Sequence, residues 1–175
     1  MLDVAIEGRD RADDTVRSLL VSRAGEAHRL ANWILHDQAG AEDAVQEAAL
    51  LAWDRRRSIR NLDTFDAWFN KILVNACRGE LRRRARRPVL TEIEPSTDGA
   101  HDRLHARDEL TRAILKLSPD EQILVALRFG RDLTVHQIAA ENGMAEGTVK
   151  SRLHYTLEHL RAALEAERRV EETLR

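Results

Sequence analysis

Three clusters of side chains have types and spacings that could make specific contacts. Thr148, Lys150, Ser151, Arg152, His154 and Tyr155 pack donors and cations into the stretch GTVKSRLHY. Such groups reach base edges and phosphates when the start of a helix enters a major groove. Asp43, Gln46 and Glu47 fall at i, i+3 and i+4, one helical face that offers acceptors to a basic partner. Between Arg78 and Arg87, six of ten residues are arginine. Guanidinium groups along one rod suit a phosphate track and also stack on bases. Asn75, just ahead of them, carries an amide that can both donate to and accept from a base edge. Each cluster also has a plainer use: an αα-hairpin that only packs, a solvated acidic face, a basic tail, a surface amide.

These residues need helices to position them, and the pattern supplies them. Thr134 and Gln137 form a Thr-x-x-Gln capping box, and Asn142-Gly143 provides a helix stop. A second helix then runs from about Ala145. Val149, Leu153, Leu157, Leu160 and Leu164 form its expected buried stripe, with Thr148, Ser151 and Tyr155 opposite and Lys150, Arg152 and His154 on the flanks. A short helix, a glycine turn and a longer helix with a polar, basic start is a helix-turn-helix. Upstream, Ser118-Pro119-Asp120-Glu121 is a strong helix start, and that helix should run to Phe129 and stop at Gly130.

In the front half, residues 1 to about 12 read as a polar, poorly ordered arm, followed by a helix from about Asp14 to His36. Asp37 to Gly40 should break the chain before a helix from about Ala41 to Arg55. Arg56 to Asp63 has no periodicity and reads as a loop, with Thr64 capping the next helix. In that helix Phe65, Trp68, Phe69, Ile72, Leu73, Ala76 and Cys77 keep an unbroken apolar stripe, and the helix should continue through the arginines to Pro88. Beyond it the composition shifts. Thr91 to Glu109 holds six acids and two arginines with no apolar repeat, a flexible and mildly acidic linker, with a helix resuming near Asp102. The expected architecture is all-α: a helical domain over 1–88, a linker over 89–106, and a helical domain over 107–175 that contains the helix-turn-helix.

Composition agrees. Hydrophobic content of 43% and charged content of 33% with 4% aromatics favour amphipathic helices over sheet. Net charge is −2, so nucleic-acid affinity must come from local basic clusters. One cysteine, Cys77, excludes a disulfide framework and fits a reducing cytoplasm. No run approaches the ~20 apolar residues of a membrane span, and the N-terminal residues lack a signal-peptide core. Trp33, Trp53 and Trp68 could stack on bases, but Trp68 sits in an apolar stripe, as does Cys77, which reads as an inert buried thiol. His101 and His105 have a metal-compatible spacing but no cysteine nearby, so neither a metal nor a cofactor is expected. No nucleophile elbow, phosphate-binding glycine loop or catalytic carboxylate pair is present.

With its Leu117-Ser118-Pro119 lead-in and Ile123 to Arg128, the stretch GTVKSRLHYTLEHLRAAL resembles the fourth conserved region of bacterial sigma factors, most nearly the small extracytoplasmic-function group. Residues from about Ala27 to Arg87 resemble the second conserved region, and Glu42-Asp43-Ala44-Val45-Gln46-Glu47 matches its most characteristic string. The resemblance implies a sigma factor that docks on core RNA polymerase and directs it to promoters, and it implies no enzyme. By the same resemblance Asp43, Gln46 and Glu47 would hold the coiled coil of the β′ clamp, and the β subunit would make a further contact. The −10 element would be read by Arg57, Arg60, Asn61, Asn75, Arg78, Arg82 and Arg83. The −35 element would be read by Thr148, Lys150, Ser151, Arg152, His154 and Tyr155. An anti-sigma factor is expected, although no residue identifies one. This sequence departs from the family in three places: it lacks a proline near Ala145, it has Tyr155-Thr156-Leu157 where an Arg-x-Arg pair is usual, and it has Gly79 where an acid or amide is common. The alternative is a stand-alone helix-turn-helix regulator that binds duplex DNA unaided. A remoter one is an enzyme built on Cys77 or the histidine pair.

Overall fold

The computed structural model describes the backbone of residues 2–59, 61–86 and 101–174, and the side chains of 12–59, 61–86 and 108–169. Among the described residues there are seven α-helices and no strand: α1 (Leu2–Leu35), α2 (Gln38–Asp54), α3 (Phe65–Arg86), α4 (His101–Leu115), α5 (Pro119–Val125), α6 (Val135–Asn142) and α7 (Glu146–Leu174). The chain divides into two compact units, Met1–Glu80 and Leu81–Arg175, with the boundary inside α3. Most of the expected linker lies outside the described residues; α4 starts at His101, one residue before the expected restart.

The front of the chain differs from expectation. There is no irregular arm, because α1 is helical from Leu2. Residues 2–13 contain no proline, and their one glycine, Gly8, costs a helix only about 1 kcal/mol, so the helix extends back from the turn that Val16 anchors in the core. At its other end α1 stops abruptly. His36 adopts a left-handed backbone (φ 49°) and Asp37 caps α2, accepting from the Ala39 and Gly40 amides at 3.2 and 3.0 Å. The break is therefore two residues rather than four. A left-handed non-glycine residue costs roughly 1–2 kcal/mol, which the Asp37 cap offsets by about 1 kcal/mol. Burial holds the His36 imidazole below its ordinary pKa, so the neutral form is favoured there.

The core of this first unit is aliphatic on α1 and α2 (Ala27, Leu30, Ala31 and Ile34 against Ala41, Ala44, Val45 and Ala48) and aromatic at the start of α3, where Phe65 and Phe69 stack at 5.8 Å. Alanines along α2 allow the close helix approach that α1 and α2 show. Arg23 of α1 forks onto Asp66 of α3 at 2.6 and 3.0 Å. Between α2 and α3 the expected loop is two 3-10 turns, Arg56–Ser58 and Leu62–Thr64. Thr64 does not cap α3: its hydroxyl donates to the Asn61 carbonyl, and Asn61 Oδ1 accepts from the Asp63 amide, so Asn61 is the cap of the preceding turn.

In the second unit the expected starts at Ser118 and Thr134 and the stop at Gly143 are in place, whereas Gly130 does not stop a helix at Phe129. Ser118 donates through its amide and its hydroxyl to Glu121 (2.9 and 2.7 Å). α5 ends in a π-helical turn, Ala126–Gly130. The Thr134 and Gln137 box caps α6, and Gly143 closes it at φ 64°, where a Cβ would be strained. α7 runs from Glu146 to Leu174, and its buried face is rotated from the expected stripe. Thr156 is buried (1% exposed), whereas Leu157 is 40% exposed. Counting 100° per residue from Val149, Thr156 lies about 20° from the axis of burial and Leu157 about 80° from it. Rotation about the helix thus outweighs hydrophobicity at these two positions. Ile114, Leu117 and Val125 form a small core on which Leu160 packs. The ion pairs Arg112–Glu167 (2.8 Å), Lys116–Glu167 and Arg168–Glu109 (2.9 Å) extend the antiparallel contact of α4 with the far end of α7.

Three carboxyls along α5 and α7 titrate below their ordinary value. At Glu121 burial pulls upward, but hydrogen bonds from Ser118 and His159 outweigh it. At Glu146 the main cause is the hydrogen bond with His136, and at Glu167 it is Lys116 and then Arg112. A lowered folded-state pKa means stability that is present above the unfolded value of 4.5 and lost as pH falls through the folded value. Glu167→Gln should therefore lower the melting temperature at pH 6, and the gap from the parent chain should close as pH falls toward 3. Thermal unfolding followed by circular dichroism across that range checks this; a gap independent of pH would show that the charge on Glu167 contributes nothing.

Candidate functional site

The candidate residues lie on three separate surfaces, each set by the helix that carries it. On α7, Val149 (0% exposed) and Leu153 are buried, and this leaves Thr148, Lys150, Ser151, Arg152, His154 and Tyr155 all exposed. The start of α7 is held against α6 by His136, whose Nδ1 lies 2.8 Å from Glu146 Oε1. At Ala145, where a proline would be usual, the carbonyl accepts from the Thr148 and Val149 amides at 3.0 and 3.2 Å and so closes the first turn of α7. Ser151 is partly committed, since its hydroxyl donates to the Gly147 carbonyl at 3.0 Å. Arg152 approaches Met144 Sδ at 3.6 Å. His154 meets the Tyr155 ring edge-on at 5.7 Å and pairs with Glu158 at 3.4 Å. Thr156 is turned inward, and Tyr155 (60% exposed) and Leu157 (40% exposed) lie on opposite flanks of α7, about 160° apart.

On α2, Asp43, Gln46 and Glu47 are exposed along one face, and Gly40, Ala41, Ala44, Val45 and Ala48 are buried along the other. Sequence reasoning missed Leu50, which is 71% exposed and lies three residues from Glu47 and four from Gln46. Its position off the apolar stripe was a usable signal. An exposed leucine beside acceptors gives this face an apolar contact as well as charge.

On α3, Asn75, Arg82 and Arg83 are exposed and Arg78 is half-buried. Two of the expected residues meet directly: Arg78 Nη1 donates to Asn75 Oδ1 at 2.5 Å. With its oxygen engaged, the Asn75 amide has its NH2 left to offer as a donor. Gly79 has nothing within 4 Å of where a Cβ would stand, so steric room does not explain that glycine. In the loop before α3, Arg57 and Asn61 are exposed, while Arg60 lies outside the described residues. Asn61 has a structural task too, as the turn cap. Sequence reasoning also missed Arg56, which is ion-paired to Asp13 and lies 4.4 Å from the Trp53 ring centroid.

The tryptophans divide. Trp68 is half-buried against Phe65 (5.8 Å), Trp53 is half-buried under guanidinium groups, and Trp33 is 40% exposed beside His36. The Cys77 side chain is fully buried. His101 and His105 lie on α4, with side chains outside those described. Among the described residues no group of three or more histidine, cysteine or acidic side chains could hold a metal ion, and no helix is long and apolar enough to cross a membrane.

Comparison with known proteins identifies the family. The family model "Sigma-70 region 2" matches residues 19–87, and "Sigma-70, region 4" matches 113–162. RNA polymerase sigma factor SigV of Bacillus subtilis is 32% identical over 160 residues, covering 87% of this chain and 95% of that protein. ECF RNA polymerase sigma factor SigL of Mycobacterium tuberculosis is 32% identical over 161 residues, covering 86% of this chain and 89% of the relative. The fold is shared with the sigma factor RpoE of Bartonella quintana, solved in complex with the anti-sigma factor NepR (TM-score 0.63, 24% identity, 85% of this chain and 96% of that one). It is also shared with CnrH, solved in complex with the cytosolic domain of CnrY (TM-score 0.62, 21% identity, 90% of this chain and 94% of that one). Two matched regions in order and relatives of full-length coverage establish that the chain belongs to the extracytoplasmic-function sigma factors of the sigma-70 family, non-enzymatic subunits that bind core RNA polymerase and direct promoter recognition.

Proposed function

We propose that the two halves of the chain divide the promoter between them. Residues 107–175 take the −35 element through the helix-turn-helix, residues 1–88 take the −10 element and the polymerase clamp, and 89–106 tether them. The observation that carries this reading is the rotation of α7. Its buried face of Val149, Leu153 and Thr156 leaves every one of Thr148, Lys150, Ser151, Arg152, His154 and Tyr155 outside, in the turns of such a helix that enter a major groove. Arg152 and Lys150 suit guanine or phosphate. The Tyr155 ring suits a thymine methyl group, an apolar contact where the family usually carries arginine.

Single-strand capture at −10 falls to Asn75, Arg78, Arg82 and Arg83 on α3 and to Arg57, Arg60 and Asn61 in the loop. Binding energy spent on an unstacked base offsets the few kcal/mol that unstacking costs. Docking on the β′ clamp coiled coil uses Asp43, Gln46, Glu47 and the exposed Leu50, with a further contact to the β subunit. The protein acts in the cytoplasm, and an anti-sigma factor is its natural antagonist; RpoE of Bartonella quintana, of the same fold, was solved with such a partner. Tethering the two modules raises their effective concentration at correctly spaced elements.

Two substitutions test these assignments. Asp43→Arg together with Glu47→Arg should weaken binding to core polymerase by about tenfold or more, since like charge in an interface costs several kcal/mol, without changing helicity. Fluorescence anisotropy at moderate salt reads the affinity, and an unchanged value would remove α2 from the interface. Tyr155→Arg should raise affinity for many −35 variants, steepen the salt dependence and compress the ratio of best to worst, because charge attracts indiscriminately and the ring contact is lost. Transcription from a −35 library at two salt concentrations measures all three, and a variant that matches the parent in preference and slope would show that Tyr155 does not face DNA.

A further inference from the structure

A cleft of about 470 Å³ opens in the first unit between α1 and the loop after α2. Asp13 and Val16 line one side; Arg56, Arg57, Ile59 and Leu62 line the other. Its volume is in the range of clefts that hold small ligands, roughly 300–1,000 Å³. The half-buried Ile59 and the exposed Leu62 supply apolar surface on which a flat ring can rest.

The two neighbouring arginines have different situations. Arg57 is exposed. Arg56 is only 19% exposed and is anchored three ways. Its Nε lies 2.8 Å from Asp13 Oδ1, off the axis of a good hydrogen bond, so the contact is an ion pair. Its Nη1 donates to the Trp53 carbonyl at 2.9 Å, and its guanidinium carbon sits 4.4 Å from the Trp53 ring centroid. Arg17 approaches the same ring at 5.3 Å and pairs in turn with Asp14 at 3.3 Å. A guanidinium neutralised by a carboxylate and held over an indole at 4.4 Å is poorly placed to seize a phosphate, and the carboxylate itself repels one. It remains a planar wall for stacking. The Asp13 carboxyl is held below its ordinary pKa mainly by Arg56, which keeps the pair ionised near neutrality.

We propose that Asp13 is a positioning residue for single-strand capture: it withholds Arg56 from the DNA backbone and fixes it as the wall against which one unstacked base is selected, leaving Arg57 as the phosphate contact of the cleft. This rests on the reading that the loop before α3 takes the −10 strand. Asp13 then sets the balance between selectivity and raw attraction.

The test uses holoenzyme assembled from core polymerase and the full chain. Labelled short homopolymers of deoxythymidine, deoxyadenosine and deoxycytidine are titrated at two salt concentrations, and core alone is subtracted. Asp13→Asn frees Arg56 for a phosphate, so all three strands should bind several-fold more tightly at low salt. The salt slope should steepen by about 0.7, one phosphate on a single strand, and the spread between bases should narrow. Asp13→Glu should restore both slope and spread. Arg56→Lys keeps the charge but loses the planar group, so it should narrow the spread without steepening the slope. Arg57→Gln should weaken binding with a shallower slope. Unchanged slope and spread in Asp13→Asn, with Arg57→Gln still weakened, would overturn the role of Asp13 and leave the loop in place. No effect from Arg57→Gln either would mean the strand does not enter this cleft, and both readings fall. Should Asp13→Asn melt below the assay temperature, Arg56→Lys decides, and a spread equal to the parent overturns the proposal.

Discussion

Burial of Val149, Leu153, Thr156 and Leu160 holds α7 in one rotation about its own axis, and the rest of the second unit is arranged to keep it there. α6 closes on the start of α7 through Gly143 and the His136–Glu146 contact, and α4 clasps its far end through Glu167 and Glu109. A helix that presents side chains to a groove cannot roll: a shift of one residue turns it by 100° and would exchange Tyr155 for Thr156. The hydrophobic contacts along one side therefore act as the register for the polar contacts along the other.

The first unit solves a different problem. Its α2 carries an exposed acidic face, and α3 carries a buried aromatic start. Small alanines let α1 and α2 pack closely, which leaves Asp43, Gln46, Glu47 and Leu50 outward. α3 separates its tasks along its length, with the Phe65 and Phe69 stack buried at one end and the arginines exposed near the other. Net charge is −2, so cations cluster locally while acids elsewhere balance them and limit indiscriminate attraction of polyanions.

Much of this was legible in the sequence where the controlling chemistry is local. The caps at Thr134 and Ser118, the stop at Gly143 and the exposed start of α7 each depend on residues a few positions apart, and the structure has them as expected. What was not legible depends on partners far along the chain. Asp13 and Arg56 are distant in sequence, and nothing in either neighbourhood announces the pair. Thr156 was passed over because leucine at 157 is the more hydrophobic residue, yet helix rotation decides burial. The helix from Leu2 was read as an arm because its residues carry no clear apolar repeat, yet Gly8 alone does not stop the helix. Leu50 was visible as an apolar residue off the stripe but was not weighed.

The account claims that one chain reads two promoter elements and does so only on core polymerase. Run-off transcription from a genomic library, with purified core polymerase and this chain and with start sites mapped, tests that directly. The account predicts start sites preceded by two shared sequence blocks at near-constant spacing, with no initiation when either protein is omitted. Start sites that share a single block, or duplex binding of equal strength and selectivity without polymerase, would contradict it and favour a stand-alone regulator.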